Sequence, residues 1–332
     1  MPGSRRWVRP ALSAVLVAAA VAFLARTAGD VGWRVLGDRL AGADRTLLLL
    51  VLLVTLVRYA VWCIRWQVLV RPVEPIPWWP AQKALLASLF ITTVVPASRP
   101  FGGLVRARYL AHELGRPRGS LYGGALVDQI GYTVVCLALG AIYLPLAFWV
   151  DPERSPADLL LLGLAGGAGL GLVFVVMWRR RSSLLARMRS RMPRVAEALE
   201  GTVDAAQRLL AHPATWRVVA VGGGAVWLAN VLTFQIAAAA LGYPLGFPAA
   251  AAAFALGSFV GTMTGTPGGA GTTELAAIVP LVALGVPTEV ALPAVLLARG
   301  VHYICSILLG GIATIFRHRR DLSPLAAGKV EG

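Results

Sequence analysis

Five ionisable side chains sit inside stretches otherwise apolar enough to enter a membrane: Arg58, Arg106, Asp128, Glu274 and Arg299. A charge at the bilayer centre costs about 2.5 to 3.5 kcal/mol on insertion scales, so each marks either a buried ion pair or a functional position. Their order mirrors itself with the signs exchanged: a base then an acid (Arg106, Asp128), later an acid then a base (Glu274, Arg299). Pairing them in that order would neutralise both and pin each segment to the helix that follows. The functional alternative turns at least one arginine toward a water-filled cavity that holds an anionic headgroup. Arg58, Arg106 and Arg299 against two acids leave a spare positive charge, and the planar guanidinium binds phosphate in a bidentate way.

Further candidates surround these charges. His302 and Tyr303 follow Arg299 at i+3 and i+4, on its helical face, where they could meet a phosphate or a sugar or simply fill the core. Pro267, Gly268, Gly269 and Gly271 precede Glu274 and permit close backbone approach. With a helix start near Thr272, capped by Thr272 or Thr273, their amides could form an anion nest. The substrate-binding set is therefore Arg58, Arg106, Asp128, Pro267, Gly268, Gly269, Gly271, Glu274, Arg299, His302 and Tyr303. Cys63, Cys136 and Cys305 lie in apolar segments without ligand spacing, and the four histidines are scattered, so no metal site is expected. The sequence offers no phosphate-binding Walker loop and no nucleophile with a plausible base, so neither a cofactor nor an enzyme activity is expected.

The elements that must position these residues follow from composition. With 332 residues, 57% apolar, 14% charged and a mean hydropathy of +0.70, the chain is an integral membrane protein. Runs long enough for the roughly 20 helical residues of a span lie near 10–26, 46–65, 120–149, 158–178, 217–241 and 289–316. The first, behind Arg5, Arg6 and Arg9, also has signal-peptide character but is read as an uncleaved helix. Two more apolar regions, 81–111 and 249–286, are broken in the middle by proline and glycine, at Pro96 to Arg106 and Pro267 to Glu274. Each could enter the membrane, turn, and leave on the same side, provided protein or water shields the broken backbone.

Orientation follows from the Lys and Arg distribution, since cytoplasmic loops carry the excess. With the N-terminus inside, 24 of the 31 fall on the cytoplasmic side, residues 65–83 and 99–118 included. The net charge of +15 is thus topology rather than a nucleic-acid footprint. Both termini are expected in the cytoplasm of a multi-pass cell (plasma) membrane protein. The first broken segment then opens from the cytoplasm and the second from outside, as in transporters built on inverted repeats. The expected fold is an all-α membrane protein with six transmembrane helices, two broken re-entrant hairpins in an inverted repeat, and a cytoplasmic amphipathic helix between the halves. It is one membrane domain, 1–332, with a first repeat at 10–149, a connector at 179–216 and a second repeat at 158–316. Nine arginines over 179–217, with apolar residues at roughly helical spacing, suit a helix lying on an anionic membrane surface.

Four stretches carry a family resemblance: Arg65-Trp66, VVPASRPFGGLVRARYL at 94–110, TPGGAGTTELA at 266–276 and ALPAVLLARGVHY at 291–303. At these residues the chain resembles the flippase-like transmembrane family typified by the membrane region of bacterial lysylphosphatidylglycerol synthase. The first break departs from the family's usual form, with Arg99-Pro100-Phe101 where a shorter glycine-containing turn is common. The resemblance implies movement of a phospholipid or polyprenyl-linked lipid headgroup between leaflets. In the fused synthases an aminoacyl-transfer domain follows the membrane region, and this sequence, which ends soon after its last span, is not expected to aminoacylate a lipid alone. The alternative is a membrane-embedded enzyme, or a subunit of one, that modifies a lipid or polyprenyl-linked sugar. A third possibility is a scaffold whose basic helix recruits a separate synthase or glycosyltransferase; a homo-oligomer is compatible with each.

Overall fold

The computed structural model describes residues 33–95, 102–115, 118–149, 193–264 and 266–327. Among these the chain is helical and has no strand. In order come α1 (Trp33–Ala41), α2 (Arg45–Val70), α3 (Trp78–Val94), α4 (Gly102–Leu114), α5 (Arg118–Trp149), α6 (Pro193–Ala211), α7 (Pro213–Ala240), α8 (Phe247–Met263), a short 3-10 turn (Pro267–Gly269), α9 (Thr272–Ala283) and α10 (Thr288–Ala327).

Four stretches are long and apolar enough to cross a membrane: Arg45–Val70, Gly119–Ala147, Pro213–Ala240 and Thr288–Thr314. They coincide with the spans expected at 46–65, 120–149, 217–241 and 289–316. The spans expected at 10–26 and 158–178 lie outside the described residues, as do the Pro96 to Phe101 part of the first break and the connector's residues 179–192. Leu49, Val57, Ile142, Val221, Ile304 and Leu308 are exposed on the outward faces of the long helices, as a lipid-facing belt requires.

Each broken region forms two helices too short to span alone. In the first, α3 has 17 residues and α4 has 13. In the second, α8 has 17 and α9 has 12, with the Pro267–Gly269 turn between them. The turn needs its glycines, because Gly268, Gly269 and Gly271 have φ of 58°, 74° and 81°, a region that side chains with a Cβ avoid.

Helices α2 and α7 run antiparallel through the centre. The Asp44 N–H donates to Ala240 O at 2.8 Å, Arg58 meets Asn230, and Gly222 backs onto the Arg65 side chain. Residue numbers rise along one helix as they fall along the other. Asp44 caps α2 by accepting from the Thr46 and Leu47 amides at 2.7 and 3.1 Å. Helix α3 packs on α10, and α8 packs on α5. Both contacts depend on a glycine: a Cβ at Gly310 would stand 2.3 Å from Leu86 O, and one at Gly140 would stand 3.2 Å from Ala255 Cβ. Gly310→Val is therefore expected to separate α3 from α10 and abolish monodisperse protein on size exclusion in detergent. A normal elution profile for that variant would show that the contact tolerates side chains.

Of the connector expected at 179–216, the described residues include the helix α6. Its described part, α6, turns its apolar face onto protein. Ala205 and Leu209 are fully buried, and α6 packs along the start of α5. Gly119 lies against Gly201, and a Cβ on Gly123 would stand 2.5 Å from Ala205 Cβ. Over α6 two facing small-residue rows let the helix axes approach, so protein covers this apolar face, while the basic residues at 179–191 lie outside the described residues.

Candidate functional site

Where the two broken regions approach each other, they enclose a cavity. Its walls come from the ends of α3 and α4, from α8 and the Pro267–Gly269 turn, and from the middles of α2, α5, α7 and α10. The breaks are nearly in contact, since a Cβ on Gly268 would stand 3.3 Å from Thr93 Cα. The volume open to water-sized molecules is about 190 Å³, room for a headgroup with some water but not for acyl chains.

Two buried charge clusters flank the cavity. In the first, Asp128 on α5 lies between two arginines. Arg106 Nη2 on α4 donates to its Oδ2 at 2.7 Å, and Arg65 Nη2 on α2 stands 2.8 Å from its Oδ1. The Arg65 approach is off the hydrogen-bond direction, which makes it a charge contact rather than a directed bond. Trp62 Nε1 adds a bond to Oδ2 at 3.3 Å. The Arg106 guanidinium lies 4.1 Å from the Trp66 ring centre and that of Arg65 lies 4.9 Å from Tyr132, stacking that replaces part of the lost hydration.

In the second cluster, Arg299 Nε on α10 donates to Glu274 Oε1 on α9 at 3.0 Å. Its Nη2 donates to Gly268 O at 2.9 Å and to the Tyr303 hydroxyl at 2.7 Å. Tyr303 Oη in turn stands 2.7 Å from Glu274 Oε1. Tyr303 thus belongs to the network that locks the turn against α10. Both anticipated pairings are formed, and each ties a broken region to the helix after it.

Arg58 on α2 is different. It is buried, and Nη1 donates to Asn230 Oδ1 while Nη2 lies 2.8 Å from His302 Nδ1. The Asn230 amide is oriented by its own donors, which reach Val226 O at 2.8 Å and Tyr132 Oη at 3.2 Å. A guanidinium only donates, so His302 Nδ1 must accept and the ring carries its proton on Nε2. Tyr59 Oη lies 2.7 Å from the same Nδ1 and 2.8 Å from Ser306 Oγ. Among the described residues Arg58 has no carboxylate partner.

The structure also corrects details of the expected site. Arg65 lies buried in the interior and not in the loop at 65–83, which raises the interior balance among the described residues to four arginines against two acids. Its position was readable, since Arg58, Trp62 and Arg65 at i, i+4 and i+7 share one helical face. No Thr side chain caps α9; Gly271 occupies the N-cap, and Thr272 Oγ1 lies 2.7 Å from Thr264 Oγ1. The Gly269 and Ala270 amides are engaged by Thr266 O and Pro267 O at 3.0 and 2.8 Å. The turn therefore offers a carbonyl to Arg299, and the positive end of α9 faces Glu274 in its own first turn. Pro267 supplies the rigid start of that turn.

Of the two clusters and Arg58, three arginines reach the cavity wall: Arg58, Arg106 and Arg299. Asp128 and Glu274 stand behind them, so no carboxylate lines the cavity among the described residues. Such a wall attracts anions, and its low-dielectric surroundings strengthen the attraction.

A family model described as "Lysylphosphatidylglycerol synthase TM region" matches residues 10–310. No match was found among curated proteins.

Proposed function

The chain belongs to the lysylphosphatidylglycerol synthase TM region family, and on that basis we propose that it is a translocase that moves a phosphate-bearing lipid or lipid-linked headgroup between membrane leaflets. The observation that carries this reading is the cavity wall: among the described residues it has three arginines and no carboxylate, and Arg58 has neutral partners alone. Arg58 and Arg299 would hold the phosphate by charge-assisted bonds while the acyl chains stay in the bilayer. Asp128 and Glu274 would keep Arg106 and Arg299 in place and compete for them as the headgroup leaves.

An inverted repeat supplies the movement. Its support is the matched packing of the halves: Gly140 backs onto Ala255 as Gly310 backs onto Leu86, and the related helices α2 and α7 are antiparallel. A two-fold axis in the membrane plane produces such a pattern, and rocking one half against the other would expose the cavity to each side in turn. We place the protein in the plasma membrane with both termini cytoplasmic, acting as a transporter and not as an enzyme. A separate synthase or glycosyltransferase would supply its lipid.

Acyl-labelled lipid in vesicles containing the protein, read by quenching from outside, tests the proposal. Glu274→Arg and Arg299→Glu are each expected to stop headgroup movement, whereas the double exchange restores folding but not transport. Unchanged movement in both single variants would remove the cavity from the mechanism.

A further inference from the structure

Apart from its arginines, the cavity wall is rich in hydroxyl groups, and five of them already commit their hydrogens to backbone carbonyls. Thr92 Oγ1 donates to Ser88 O at 2.9 Å and Thr93 Oγ1 to Leu89 O at 2.7 Å, both on α3. On α5 Thr133 Oγ1 donates to Gln129 O at 2.9 Å, and on α8 Thr262 Oγ1 donates to Ser258 O at 2.7 Å. Ser88 Oγ does the same toward Leu85 O at 2.7 Å. All five residues line the cavity. A hydroxyl has one hydrogen and two lone pairs, so one that donates to its own helix presents only an acceptor to whatever else it meets. The cavity thus has cationic donors at the arginines and neutral acceptors at these five hydroxyls, beside Gln129, Asn230 and His302, which can also donate.

A bare phosphate would satisfy the arginines and leave the acceptors facing other acceptors. A ligand that matches both parts has an anion joined to a group rich in hydrogen-bond donors. Hydroxyl and ammonium groups are the two common donors, and charge separates them. Among the described residues three arginines and no carboxylate line the wall, and Asp128 and Glu274 are already held by Arg65, Arg106 and Arg299. An ammonium brought into this cavity beside its phosphate would meet the arginines' like charge, and among the described residues no wall carboxylate would pair with it.

We propose that the headgroup taken by this cavity is a phosphodiester bearing a neutral polyhydroxyl moiety, with its phosphate on Arg58 and Arg299 and its hydroxyls on the threonine acceptors of α3 and α8. Headgroups that carry an ammonium are rejected. This rests on the translocase reading and narrows it to one substrate class.

The test uses the full chain in vesicles with four acyl-labelled probes: phosphatidylglycerol, phosphatidic acid, phosphatidylethanolamine and lysylphosphatidylglycerol. Phosphatidylglycerol is expected to move at least about tenfold faster than either amine-bearing lipid, as one unfavourable charge contact implies. It should also outpace phosphatidic acid, which has the phosphate without the polyol. Thr92→Val and Thr262→Val keep the side-chain shape and remove one acceptor each. Each should lower the preference for phosphatidylglycerol over phosphatidic acid by about fivefold, the worth of one neutral hydrogen bond.

Equal or faster movement of the amine-bearing lipids would overturn the substrate class while leaving translocation intact. An unchanged preference in both threonine variants would overturn the role of the acceptors. Native mass spectrometry of the same four lipids on the detergent-solubilised protein separates the two ideas. Selective retention of phosphatidylglycerol without movement upholds the headgroup class and defeats the translocase reading, whereas retention without selectivity defeats the headgroup class.

Discussion

Asp128→Ala is expected to yield little folded protein. The carboxylate is the counter-charge for two buried arginines, with Arg106 at 2.7 Å and Arg65 at 2.8 Å. Removing one partner of a buried pair costs about 3 to 5 kcal/mol, because the remaining charge stays desolvated. Here two like charges would remain, facing each other across the vacated site. Trp66 and Tyr132 stack on the guanidiniums but cannot neutralise them. Monodispersity and thermal denaturation in detergent read the effect directly. Asp128→Asn keeps an acceptor without the charge and should fall between the two. Wild-type melting of the alanine variant would mean that the cluster is hydrated and that its charges are not buried.

Arg58→Met is expected to do the opposite: headgroup movement falls at least about tenfold, while stability is unchanged or rises. Arg58 is held by the Asn230 amide oxygen and by His302 Nδ1, both neutral, so its loss leaves no buried charge unpaired. Exchanging a buried cation for a well-packed apolar side chain is often neutral or stabilising. Transport fails because a charge-assisted bond to phosphate, worth about 1.5 to 3 kcal/mol, is gone. Thermal denaturation together with the vesicle assay separates the two effects. A variant that melts well below wild type would make Arg58 a structural cation, and one that transports normally would take it out of the site. The contrast with Asp128 is informative, since both residues are buried and only their partners differ.

This contrast also shows where the sequence was legible. The pairs Arg106 with Asp128 and Glu274 with Arg299 could be read from order alone, since each broken region can reach the helix that follows it. Gln129, Asn230 and the hydroxyls of Thr92 and Thr262 gave no such signal, because polar uncharged residues are common in membrane helices for packing reasons. Tyr303 was visible at i+4 from Arg299, but its part in locking the turn depends on Gly268 O, a backbone atom that no side-chain pattern reports. The packing of α6 on α5 was hidden for a related reason. An apolar face at helical spacing specifies that something apolar will cover it, not whether that is lipid or protein.

The sequence by itself determined what the bilayer enforces locally: the long spans, the two breaks at proline and glycine, and the need of each buried charge for a partner. Hydropathy and charge act residue by residue along one helix, so they survive in the linear order. Only the tertiary structure decided that Arg65 joins Asp128, that Arg58 is left with neutral partners, and that α6 lies on α5. Each of these depends on which faces of distant helices meet. That choice is made by close contacts such as Gly222 against Arg65 and Gly123 against Ala205, where a single Cβ would hold the helices apart. The two breaks were legible as breaks. That they enclose one cavity with arginines on its wall and acids behind them is a property of the packed helices.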